Sequence, residues 1–273
     1  VKIGHVGPTS GAIAHLGKDN ENGARLAIEE LNAKGIKIGG KAVKFELVAE
    51  DDAADPKQAT AAAQKLVDSK VNGVIGHLNS GTTIPASKLY SDAGIPQISP
   101  SATNPKYTRN GYKTAFRVVA DDVHLGSTLG KYAVGTLKAR KVAMLYQNDG
   151  WGKPAYDIAV KQLEKHGMKL VEAQSFERFA TDLTSQVFKL KQAEPDVVIV
   201  YALGQEAVQF FRGAEKLGWN IYIPKFEYTT DNAAMIAMVA KLKFDRGEFS
   251  DLSVSATARY DIEESFTNKT DIL

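Results

Sequence analysis

The stretch Val71-Asn-Gly-Val-Ile-Gly-His-Leu-Asn-Ser-Gly-Thr-Thr83 is a short apolar run that breaks into small hydroxyl and glycine residues, and Gly94-Ile-Pro-Gln-Ile-Ser-Pro-Ser-Ala-Thr103 repeats the plan. Each reads as a buried strand that ends in a loop, and the first loop opens into a helical run over 84–93. In an open parallel sheet the ends of neighbouring strands face one crevice, where free N–H groups and the positive end of a helix dipole attract anions. Ser80, Gly81, Thr82 and Thr83 supply hydroxyls and unhindered backbone on one lip, and Ser101, Ala102 and Thr103 do so on the other. A carboxylate fits that setting. Taken singly, Ser80 or Thr103 is equally well explained as a helix cap; two such clusters on consecutive strands favour a ligand.

Outward from these lips, strands near 2–6, 43–50, 71–76, 95–99 and 114–118 alternate with helices near 17–34, 56–69, 82–93 and 122–138. The pattern then restarts at Lys141-Val-Ala-Met-Leu-Tyr146, with a helix near 152–166, a strand 168–174, a helix 182–193, a strand 196–202, a helix 205–217 and a strand 220–224. Such alternation predicts an α/β fold of parallel sheets covered by helices on both faces. Two successive sets joined near Val119-Ala-Asp-Asp-Val123 predict two lobes with a cleft between them. The expected divisions are an N-terminal lobe over 1–120, a shortened second lobe over 121–245 and an atypical tail over 246–273. Local chemistry agrees: Asp55-Pro56 is a cap followed by proline at the first helical position, and Gly35 stops the first helix.

Composition narrows the function. The 34 basic and 32 acidic residues are interspersed and leave a net charge of +2, so no basic stripe calls for nucleic acid. Cysteine is absent, which removes disulfides, thiolate catalysis and cysteine-ligated metal. No apolar run approaches the roughly 20 residues that cross a bilayer. The chain opens directly on the strand Val1-Lys-Ile-Gly-His-Val6, as a mature exported protein would after losing its leader, and a periplasmic location is expected. Asp51-Asp52 resembles acid–base machinery, but its place between a strand and the Asp55-Pro56 cap is explained by a solvated turn. His77 follows a buried strand and reads as a packing residue rather than a metal ligand. No nucleophile elbow, phosphate-binding Gly-Lys-Ser/Thr loop or dinucleotide fingerprint occurs. No enzyme activity, metal or cofactor is expected.

Four separated motifs, His5-Val-Gly-Pro-Thr-Ser-Gly-Ala-Ile-Ala-His-Leu-Gly17, Glu50-Asp-Asp-Ala-Ala-Asp-Pro-Lys-Gln-Ala59, Gly76-His-Leu-Asn-Ser-Gly-Thr-Thr-Ile-Pro-Ala-Ser87 and Ile98-Ser-Pro-Ser-Ala-Thr103, closely resemble the branched-chain amino acid binding proteins of ABC importers. The likeness is specific over about 1–140 and continues more loosely to about 218 as a likeness to type I periplasmic binding proteins. It implies the two-lobed fold of that family and a monomeric receptor that delivers a small amino acid to a membrane permease. It further implies that the Ser80 hydroxyl, with Gly81 beside it, and the hydroxyl and N–H of Thr103 hold the ligand carboxylate. The Ser101 carbonyl and the Ala102 backbone are matched to the ammonium side, with Asp122 as a nearby acid. Trp151 is matched to an aromatic wall from the second lobe, Leu203 to a position where a second aromatic is common, and Glu227 to a second-lobe acid that receives the ammonium.

The tail follows another pattern. Gly218-Trp-Asn-Ile-Tyr-Ile-Pro-Lys-Phe-Glu-Tyr-Thr-Thr-Asp-Asn-Ala-Ala-Met-Ile-Ala237 and Gly247-Glu-Phe-Ser-Asp-Leu-Ser-Val254 resemble the C-terminal segment of tRNA threonylcarbamoyladenosine synthesis proteins, a metal-dependent transferase family. That likeness makes the chain look like a mosaic and matches Asp231 to a metal ligand. The five histidines contain no His-x-x-x-His pair to complete such a site, and Asp231 reads better as a helix cap than as a metal ligand. Beside the importer receptor stand a sensory module on the same fold, a transferase related to the tail, and a mosaic that folds but binds weakly or not at all.

Overall fold

The computed structural model describes residues 1–219. The first apolar run becomes β1 (Lys2–Gly7), followed by α1 (Ala14–Ala33), a hairpin of β2 (Lys37–Ile38) and β3 (Lys41–Ala42), β4 (Glu46–Asp51), α2 (Pro56–Asp68), β5 (Gly73–Gly76), α3 (Ser80–Asp92), β6 (Gln97–Ser99), α4 (Lys106–Arg109) and β7 (Ala115–Arg117). These strands form a parallel sheet in the order β4-β1-β5-β6-β7. The chain then passes to α5 (Asp122–Gly135), β8 (Lys141–Gln147), α6 (Gly152–Lys165), β9 (Lys169–Phe176), α7 (Thr184–Gln192), β10 (Val197–Tyr201) and α8 (Gly204–Lys216). Its sheet is also parallel, in the order β10-β8-β9.

The expected punctuation holds. Asp55 accepts hydrogen bonds from the Lys57 and Gln58 amides, both at 2.9 Å, and Pro56 starts α2. Gly35 takes φ 64° just beyond α1, a left-handed turn that costs glycine little. The hairpin is an addition to the expected elements. It displaces the start of the strand expected at 43 to Glu46, where β4 is aligned by Asn32, whose side-chain amide clamps the backbone of Phe45 at 2.7 and 2.9 Å.

Each sheet has its own core. Leu66, Val74, Ala86 and Tyr90 bury the first sheet under α2 and α3. Val142, Met144, Ala155, Ala159 and Leu163 bury the second under α6, and Ala133 of α5 joins them. Thus α5 packs with the second sheet, and the chain passes from the first sheet to the second between β7 and α5. The described residues belong to one compact unit; the boundary expected at 245 and the strand expected at 220–224 lie outside them.

Strand order fixes where a ligand can sit. The chain runs outward from β1 to β4 on one side and to β5, β6 and β7 on the other, so the loops after β1 and β5 diverge and leave a crevice at the carboxyl ends of the strands. The loops after β8, β9 and β10 supply the facing wall.

Candidate functional site

The first lip is built by hydroxyls that turn inward. Thr82 and Thr83 donate to the Asn79 carbonyl at 2.9 and 2.8 Å, and Thr83 also reaches the His77 carbonyl at 3.1 Å. These two side chains brace the loop. The amides of Thr82 and Thr83 are already spent on Asn79 O, whereas those of Ser80 and Gly81 make no hydrogen bond among the described residues. They sit at the N-terminus of α3, where the helix dipole favours an anion.

The second lip is sewn to the first. Ser99 Oγ donates to the His77 carbonyl at 2.7 Å and receives the Ala102 amide at 3.0 Å; Ser101 Oγ donates to the Leu78 carbonyl at 2.8 Å. The Asn104 amide donates to Ser80 Oγ at 3.2 Å, which leaves the Ser80 proton to donate to a ligand. Arg117 supports this lip from beneath, donating to the carbonyls of Ala102 and Asn104 at 3.2 and 3.0 Å. The Ala102 carbonyl thus already accepts one bond, whereas the Ser101 carbonyl accepts none among the described residues.

Asp51 and Asp52 differ from the solvated turn that the sequence suggests. Asp52 is fully buried, because a chain segment 25 residues later places His77 against it. His77 Nδ1 lies 2.7 Å from Asp52 Oδ2 and Nε2 lies 3.3 Å from the Tyr90 hydroxyl. His77 is thus a packing and bracing residue, as expected, and its carbonyl carries both lips.

Two consecutive aspartates begin α5 and do different work. Asp121 is the cap, accepting from the Val123 and His124 amides at 3.1 Å each and pairing with Arg109. Burial raises its pKa, but the hydrogen bonds from His124 and the Arg109 charge outweigh that and hold it below the ordinary value. Asp122 is 1% exposed, and neither carboxylate oxygen has a hydrogen-bond partner of good geometry. Burial pushes its pKa up; the nearby Thr103 hydroxyl opposes the shift, Asp121 reinforces it and Arg117 opposes it. A buried carboxylate without a partner is costly unless a cation arrives.

The facing wall comes from the second sheet. Asp149 accepts from the Trp151 and Gly152 amides at 2.9 and 2.8 Å, a turn that sets Trp151 at the head of α6. The indole N–H then reaches across the cleft to Thr103 Oγ1 at 3.0 Å. The Thr103 hydroxyl, expected to serve the ligand carboxylate, therefore already accepts one bond, while its amide makes none among the described residues. Trp151 meets Tyr201 edge to face, centroids 6.0 Å apart. Tyr201 is buried with an unpartnered hydroxyl, and burial together with the Asp122 charge pushes its pKa up to about 12.

Tyr201 beside Trp151 was not singled out from the sequence. Leu203, two residues on, is the half-buried cap of α8. The available signal was the run Val197-Val-Ile-Val-Tyr201, since the last residue of a buried parallel strand ends at the crevice. Glu227 and Asp231 lie outside the described residues.

The walls meet closely. The Asn104 amide group donates to the Gly150 carbonyl at 3.4 Å, and a Cβ added to Gly150 would stand 2.8 Å from Gly81 Cα. The cleft therefore brings together Ser80, Gly81 and Thr103 as donors, Ser101 O and Asp122 as acceptors, and Trp151 with Tyr201 as an apolar wall. Amide and hydroxyl donors together with a buried carboxylate suit a zwitterion.

Comparison with known proteins gives a consistent result. A family model described as periplasmic binding protein matches residues 1–242. An amino acid binding protein of Pseudomonas aeruginosa is 39% identical over 219 residues, 80% of this chain and 58% of the relative. A leucine-specific-binding protein of Salmonella typhimurium is 36% identical over 218 residues, with the same 80% and 58% shares. The chain thus spans less than two thirds of the length of these relatives. Among solved structures, a branched-chain amino acid transporter substrate binding protein from Streptococcus pneumoniae in complex with isoleucine superimposes with a TM-score of 0.72 at 30% identity, covering 81% of this chain and 62% of that one.

Proposed function

Since the chain belongs to the periplasmic binding protein family, we propose that it is a solute receptor that captures a small amino acid with a branched or similarly apolar side chain between its lobes. The observation that carries this reading is the buried Asp122, which forms no ion pair among the described residues, in the same cleft as the uncommitted amides of Ser80, Gly81 and Thr103. The carboxylate takes those amides and the Ser80 hydroxyl; the ammonium takes Asp122 and the Ser101 carbonyl. The side chain lies against Trp151 and Tyr201. Each charged hydrogen bond contributes roughly 1.5–3 kcal/mol once closure excludes water.

The relatives named for leucine and for amino acid binding support the ligand class, and a transporter-associated neighbour bound to isoleucine supports the delivery role. On this reading the protein works in the periplasm as a monomer, hands its ligand to the membrane permease of an ABC importer and catalyses no reaction. The lobe division is at about residue 120.

Thermal unfolding with each of the twenty amino acids tests the proposal. A ligand that binds only the folded state stabilises it by about 2.7 kcal/mol at a hundred times its Kd. A selective shift with leucine, isoleucine or valine is the expected outcome. Cooperative unfolding that no amino acid shifts would overturn it.

A further inference from the structure

Six non-glycine residues adopt a left-handed backbone among the described residues: Ala53, Ala54, Lys70, Lys138, Phe179 and Glu194. Lys70, Lys138 and Glu194 lie one or two residues beyond the caps of α2, α5 and α7, where a helix ordinarily ends this way. The other three meet at a single contact between the lobes. Arg178, beside Phe179 in the loop after β9, donates from Nη1 to the carbonyl of Ala54 at 2.5 Å.

Both sides of that contact are held rigidly. Asp51 Oδ1 accepts the Ala53 amide at 2.8 Å and Asp52 Oδ1 the Ala54 amide at 2.9 Å, so two carboxylates fix the turn that presents the carbonyl. On the other side the Phe179 amide donates to the buried Glu206 carboxylate at 2.6 Å, and the guanidinium lies 4.9 Å from the Phe179 ring centroid. Backbone strain of this kind persists where the surroundings over-determine it, and it concentrates at clamps and switches. The receiving turn is also tied to the ligand lips, because Asp52 holds His77 and the His77 carbonyl holds Thr83 and Ser99.

We propose that Arg178 is a positioning residue that latches the second lobe onto the first, with the turn over 51–55 as its receptor, and that it sets how long a bound ligand stays. The proposal rests on the closed-cleft reading above. Arg178 does not belong to the ligand-holding set, so its loss speeds ligand escape while leaving the choice of ligand alone. Only Nη1 is used and Nη2 is unpartnered, so one lysine ammonium can replace the bond.

The test compares the full chain with Arg178→Ala and Arg178→Lys, using leucine as probe. Stopped-flow dissociation from Arg178→Ala is expected to be roughly tenfold or more faster, the fold-change of one charge-assisted hydrogen bond. The association rate and the ranking of amino acids should stay as in the parent, and Arg178→Lys should recover most of the loss. Because the chain lacks cysteine, spin labels at Lys57→Cys and Lys189→Cys report the distance between the lobes. The short-distance population should shrink in Arg178→Ala, with or without leucine. If leucine fails to bind the parent, the functional proposal falls and the distance distribution alone judges the latch. Unchanged dissociation and distances in Arg178→Ala would overturn it; if alanine does not fold, Arg178→Met, which keeps the aliphatic stem but has no donor, is judged by the same two readouts, faster dissociation with a smaller short-distance population sustaining the latch and parental values refuting it.

Discussion

Replacing Gly150 by alanine should hold the cleft ajar without harming either lobe. Its added Cβ would meet Gly81 Cα at 2.8 Å, and the obstruction is backbone, which cannot swing aside. Restoring ordinary van der Waals contact requires the lips to part by about 1 Å. That movement stretches the 3.0 Å bond from Trp151 to Thr103 and the 3.4 Å bond from Asn104 to Gly150 beyond useful length. At about 1 kcal/mol for each bond lost, the closed state is weakened by about 2 kcal/mol, or roughly thirtyfold in Kd. The reciprocal change is the control. A Cβ on Gly81 would lie 3.5 Å from Gly150 Cα, an ordinary contact, so Gly81→Ala should leave the spacing between the lobes as in the parent. Calorimetric titration with leucine, alongside ligand-free melting, separates the cases. Parental affinity in Gly150→Ala, or a ligand-free melting loss as large as the binding loss, would refute the reasoning.

Other consequences concern charge and core. Since the pKa of Asp122 is raised, its carboxyl keeps a proton to higher pH than usual in the free protein, and an incoming ammonium must displace it. Affinity for leucine should therefore fall as pH drops through that raised pKa, with proton release that titrations in buffers of different ionisation heat can detect; Asp122→Asn should abolish the release and cost roughly tenfold or more in affinity. Burial lowers the pKa of His5 despite the opposing Glu21 charge, so the stability it contributes is intact above the unfolded value of about 6.5 and is lost as pH falls through the lower folded value. Urea midpoints between about pH 7 and 5 should decline less in His5→Gln than in the parent. Leu163 is 2% exposed in the second core, and Leu163→Ala should lower stability by about 2–5 kcal/mol in urea unfolding.

The order of the major described elements was legible because parallel strands buried on both faces leave apolar runs that helices separate. Asp55-Pro56 and Gly35 marked boundaries through local chemistry, which needs no tertiary partner. The hairpin and α4 escaped for the opposite reason: elements of two and four residues carry no measurable period. Within the site, Ser80, Gly81 and Thr103 could be picked out by residue type at strand ends, whereas Asp122 and Trp151 came from a family likeness. Contacts across the fold stayed hidden. Nothing local in Asp51-Asp52 announces the histidine that buries one of them, and nothing near Ala102 announces that Arg117 will occupy its carbonyl. Tyr201 was passed over because its contact with Trp151 is made between separate elements of the chain and leaves no mark in the local sequence.

The bond from the Trp151 indole to Thr103 also makes the protein its own optical gauge. The chain has two tryptophans, and the other, Trp219, lies against Phe210 with ring centroids 6.2 Å apart. Opening breaks the indole's bond to Thr103 and turns its N–H to water while the ring stays against Tyr201, so the colour and intensity of tryptophan emission follow the gap between the lobes. Closing can be watched in the unmodified chain, with no dye attached.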